Sequence, residues 1–101
     1  MISVVQSSAF SSRCEGKYGT DEIDALILAI SRNPHAGKKL QAAGNLYQYP
    51  WSLSRQGRHE YDVYYVFHSK TQPLLLVNIF KRGTKAVLDK VLATLAQEVT
   101  G

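Results

Sequence analysis

Leu46-Tyr47-Gln48-Tyr49-Pro50-Trp51, then Glu60-Tyr61-Asp62-Val63-Tyr64-Tyr65-Val66-Phe67-His68, then Leu74-Leu75-Leu76-Val77-Asn78-Ile79-Phe80-Lys81: these three segments decide how the chain is read. They hold five of the six tyrosines, the single tryptophan and the longest apolar runs. β-Branched and aromatic residues interrupted by Ser, Gly and Pro clusters read as strands. The middle segment alternates, with Tyr61, Val63, Tyr65 and Phe67 expected on one face and Glu60, Asp62, Tyr64, Val66 and His68 on the other. The last segment is apolar on both faces from Leu74 to Val77, as a central strand covered on both sides would be. Pro50 cannot donate to a ladder, which places it at an edge or a bulge.

Outside this stretch lie candidate helices that would supply the cover. Ile2 to Gln6 reads as a short strand, and Ser7 or Ser8 can cap the helix after it. Phe10 and Cys14 share a face there, and Cys14 reads as a small buried hydrophobe. Thr20-Asp21-Glu22 opens a stronger helix, with a possible cap and two acids where the helix dipole favours them. Its stripe is Ile23, Leu26, Ile27 and Ile30, and Asn33-Pro34 stops it. His35 to Asn45 reads as a loop with Lys38 and Lys39 solvated. After Lys81, Gly83-Thr84 breaks the pattern and can cap a last helix, whose stripe is Leu88, Val91, Leu92, Leu95 and Val99. The expectation is a single α+β domain over residues 1–101 with a small, mostly antiparallel sheet.

With 45% hydrophobic and 20% charged residues, the composition is that of a folded globular domain and not of a disordered chain. No apolar run is long enough to span a membrane and no signal peptide is expected. One cysteine rules out an internal disulfide framework and suits a reducing cytoplasm. The histidines and cysteine lack metal-ligand spacing, so neither a metal nor a cofactor is expected. The net charge of +4 is uneven, with five cations and no acid between Arg32 and His59. A basic middle suits a polyanionic or acidic partner, and suits equally a solvated face.

The chain resembles the RelE/ParE superfamily of toxins from type II toxin–antitoxin modules, in its RelE/HigB-type branch, over nearly its whole length. The likeness rests on Asn33-Pro34-His35-Ala36-Gly37, on Gly44-Asn45-Leu46 leading to Trp51, on Val63-Tyr64-Tyr65, and on the apolar strand ending at Lys81 before a last helix. It implies an N-terminal strand and helical hairpin packed on a curved sheet with a C-terminal helix. It also implies a cytoplasmic protein with a cognate antitoxin as partner, and operator DNA reached through that antitoxin. Many relatives cut mRNA on the ribosome without metal, by attack of a ribose 2′-OH on the adjacent phosphate. That reaction needs a base, an acid and cations facing the phosphate.

By this resemblance the catalytic candidates are Lys81, Arg58, Tyr64 and His59, and the RNA-binding candidates are Arg55, Arg82, Lys38 and Lys39. His68 is a further proton-transfer candidate. Alternation lets only one of Tyr64 and Tyr65 face a substrate; Tyr64 is the expected one, and Tyr65 is expected to pack. The chain also departs from the branch: Tyr47 to Pro50 replace basic residues, and Asp62 stands where the branch has an arginine. An acid there opposes phosphate stabilisation unless a cation such as Arg58 or Lys81 shields it. Two other readings remain open: a catalytically degenerate toxin-like protein that binds an antitoxin-type partner in transcriptional autoregulation, and a gyrase inhibitor.

Overall fold

A computed structural model describes residues 2–15, 20–40, 45–53, 59–69, 71–85 and 87–100, with the side chains of 20, 53, 59, 88 and 95–100 outside that description. In chain order the elements are β1 (Val4–Gln6), α1 (Ser8–Cys14), α2 (Thr20–Arg32), β2 (Lys38–Lys39), β3 (Leu46–Leu53), β4 (His59–Val66), β5 (Leu74–Lys81) and α3 (Val87–Thr100). The five strands form one open sheet in the order β1-β5-β4-β3-β2. β1 runs parallel to β5 and the other neighbours are antiparallel. The fold is therefore α+β with a mixed, mostly antiparallel sheet and a C-terminal helix, as the sequence predicts. A Cα radius of gyration of 12.9 Å equals the roughly 13 Å of one domain this long.

Alternation in β4 sorts the core into two layers. Val63, Tyr65 and Phe67 pack with Phe10 and Cys14 of α1 and Leu26 and Ile30 of α2. Tyr64 and Val66 pack on the other face with Phe80 and with Val91 of α3. β5 serves both layers, and all its residues but Leu75 and Lys81 are buried. Its alternation breaks at a bulge, where Tyr64 pairs with Asn78 but Tyr65 pairs with Leu76. The extra residue turns two successive side chains toward α3: Val77 joins that core layer, and the Asn78 amide donates to the Thr94 hydroxyl at 3.3 Å.

The N-terminal segment seals the outer edge of β5. Ser7 caps α1, its Oγ accepting from the Phe10 amide at 3.0 Å. The same hydroxyl donates to the Val77 carbonyl at 2.6 Å. Beyond β1, Arg13 Nε donates to the Ile79 carbonyl at 2.8 Å, and the Ile79 amide donates to Asn78 Oδ1 at 2.9 Å. An edge whose polar groups are answered by its own side chains offers little to a foreign strand.

Two local expectations are corrected. Residues 35–45 are not all loop: Lys38 and Lys39 form the edge strand β2, paired with Gln48 and Tyr47. Two residues carry no readable period, so the pairing has no signal in sequence. Thr84 does not cap α3; its hydroxyl turns back to the Lys81 carbonyl at 2.6 Å, in a turn that Gly83 makes with φ +92°. Pro50 behaves as expected, since β2 covers only Tyr47 and Gln48 and leaves β3 at the edge beside it.

Candidate functional site

The sheet register shows which candidates share a face. One row runs Trp51–Tyr61–Lys81 across β3, β4 and β5. Tyr61 and Trp51 pack against the α1/α2 core layer, so Lys81 starts from that side, exposed at the strand end. The next row, Pro50–Asp62–Phe80, lies on the α3 side with Tyr64, Gln48 and Asn78. Lys81 and Tyr64, both expected to be catalytic, therefore stand on opposite faces of the sheet.

Tyr64 is corrected from substrate-facing to core residue. It is 6% exposed and its ring meets the Phe80 ring edge-on at 6.3 Å. Burial, and after it the Asp62 charge, pushes its phenol above the ordinary value of 10.0, so at neutral pH it is a protonated phenol and no base. Tyr65 packs as expected. It is wholly buried, stacked on Tyr47 at 5.2 Å with the rings 5° apart. Its hydroxyl donates to the Pro34 carbonyl at 2.6 Å and accepts from the Gly37 amide at 3.0 Å.

Asp62 does find a cation, but a different one from those expected. Its carboxylate lies 3.7 Å from Arg82 Nε, and Glu60 takes the same guanidinium at 2.8 Å through Nη1. The backbone sets the two residues side by side, since the Arg82 amide donates to the Glu60 carbonyl at 3.0 Å. Lys81 points from the opposite face and so cannot take that part. Nearby, the Arg13 guanidinium lies 4.2 Å from the centre of the Phe80 ring and Lys90 Nζ lies 5.9 Å from it. Arg13 carries no motif; only its place on α1 beside β5 gives it this role.

The remaining candidates divide. Arg55 and Arg58 lie outside the described residues, as does the side chain of His59, whose backbone pairs with Leu53 at the start of β4. His68 sits beyond the far end of β4, sharing a 2.8 Å hydrogen bond with Asn45. Seven residues separate it from Tyr61, roughly 23 Å of strand, so it does not join Lys81. Lys38 and Lys39 are exposed on β2. Three strand spacings, with an offset of three residues for Lys38 and four for Lys39, put them roughly 17 and roughly 20 Å from Lys81, too far to serve the same phosphate. Among the described residues no group of three or more His, Cys, Asp or Glu side chains is placed to hold a metal, and no described helix is long and apolar enough to cross a membrane.

The described site is thus the sheet end where β5 finishes, with Lys81 on one side beside Trp51 and Tyr61, and Arg82 clasped by two acids on the other. No protein-family model matches the chain, and no curated protein matches it. The aromatic pair beside Lys81 is legible only from the β3–β4 register. Trp51 and Tyr61 have ring centres 6.3 Å apart.

Proposed function

We propose that this chain is the toxin component of a type II toxin–antitoxin module, a RelE-like, metal-free endoribonuclease acting on mRNA at the ribosome. The observation that carries the reading is the order strand, two helices, antiparallel strands, helix, with β5 ending in the exposed Lys81-Arg82 step. Lys81 would face the charge that gathers on the phosphate as the 2′ oxygen bonds to phosphorus and the 5′ oxygen leaves. Arg58 would share that charge and Arg55 would hold the flanking backbone. His59 would take the 2′-OH proton, and solvent water would protonate the departing 5′ oxygen. Tyr64, buried on the other face, has no part in it. Cys14, buried and in no disulfide, suits a cytoplasmic setting.

Inducible expression tests the reading. Growth arrest with cleaved transcripts is expected, and Lys81→Ala or Arg58→Ala should relieve it. Normal growth and intact transcripts with soluble wild-type protein would overturn it.

One observation favours a second reading. Glu60 and Asp62 occupy Arg82 on the face of Tyr64, which suits a non-cleaving relative that binds an antitoxin-type partner and reaches operator DNA through it. Recovery of such a partner with a protein that leaves transcripts intact would decide for it.

A further inference from the structure

We infer that Arg82 is a self-masked phosphate site, held by Glu60 and Asp62 until a polyanion displaces them. This rests on the RNA-directed reading above. Three observations support it. Pro50 and Ser52, which register with Asp62 and Glu60 on β3, are exposed, so the floor beside Arg82 is open. The pairs are themselves accessible, with side-chain exposure of 42% for Arg82, 44% for Glu60 and 18% for Asp62. The backbone bond from Arg82 to Glu60 keeps the Arg82 main chain beside this floor whether or not the carboxylates hold its side chain. A phosphate presents oxygens to the guanidinium fork much as the carboxylates do, so the two compete directly. Exposed pairs are weak enough to be exchanged.

The site then discriminates by valency. A lone phosphate must displace two acids for one contact, whereas a single-stranded RNA already held at neighbouring cations does so at little further cost. Arg13, whose Nε is committed to the Ile79 carbonyl, and Lys90 both lie against the ring of Phe80, two residues before Arg82.

The test is a mutant cycle read by anisotropy of a short labelled oligouridine, with folding of each variant checked by circular dichroism. Glu60→Gln with Asp62→Asn is expected to tighten binding about three- to tenfold and to steepen the salt dependence by about 0.7 log units per log unit of salt. Adding Arg82→Ala should abolish that gain. Asp21→Asn with Asp24→Asn makes the same charge change on α2, where both acids are exposed, and should give less. An equal gain with Arg82→Ala, an equal gain from the α2 pair, or no gain overturns the inference. Transcript cleavage by the wild type alongside any of those results leaves the proposed function standing, while intact transcripts and no oligouridine binding by any variant remove both.

Discussion

The Tyr65 hydroxyl stands between two backbone groups of one turn, donating to the Pro34 carbonyl and accepting from the Gly37 amide. The central sheet thereby holds the segment that leaves α2 and enters β2. Tyr65→Phe removes both bonds and keeps the ring stack on Tyr47. A partly buried carbonyl and amide that lose a partner cost about 1–3 kcal/mol, so thermal unfolding should fall by roughly 4–20 °C, read by circular dichroism.

Gly37 is set by the same contact. A Cβ there would lie 2.8 Å from Tyr65 Oη and 2.9 Å from the Gln48 carbonyl oxygen. The second neighbour is backbone of the β2–β3 pair and cannot swing aside. Gly37→Ala should cost about 1–3 kcal/mol in chemical denaturation. Because one of the two clashes is with the hydroxyl, the double variant with Tyr65→Phe should lose less than the two single losses combined.

Alkaline pH should weaken the fold through Tyr64 and Tyr65. Burial leads in raising both phenols above 10.0. A raised pKa means that the unfolded chain gives up these protons first, so the stability they contribute is complete below pH 10 and is lost as pH climbs through the folded values. Denaturation midpoints should decline above pH 10, and less so in Tyr64→Phe. Under the proposed function, the same variant should keep transcript cleavage within about twofold of wild type, since a ring this buried touches no substrate.

Arg13 joins α1 to the end of β5 by a hydrogen bond and a ring contact. Arg13→Met keeps the length and loses both the donor and the charge, leaving the Ile79 carbonyl open at the sheet edge. The expected cost is about 1–2 kcal/mol, measured by urea unfolding, together with concentration-dependent association on size exclusion as that edge becomes available.

Where side-chain period decides an element, the sequence is readable. The stripe Ile23, Leu26, Ile27 and Ile30 locates α2, and the alternation from Tyr61 to Phe67 sorts both core layers correctly. What escapes is set by pairing across distance. β2 has two residues, β1 reveals nothing of its parallel partner, and the bulge at Val77 follows from how β5 must serve α1 and α3 together. The site suffers most from this. Asp62 is legible as an acid in need of a cation, but Arg82 follows from the register of β4 and β5, and the separation of Lys81 from Tyr64 depends on which face each strand end presents.

The seal at the β5 edge also bears on how the chain is made. Ser7 and Val77 are 70 positions apart, so β1 emerges during synthesis long before the strand it must pair with. Until Leu74–Leu76 have been added, Val4–Gln6 have no parallel neighbour and Arg13 has no Ile79 carbonyl to hold. The earliest-translated strand therefore cannot be placed before one of the latest, and contacts of such span slow folding. Ribosome-bound fragments stopped short of Leu74 should leave the N-terminal segment open to proteases, and extension past Lys81 should protect it.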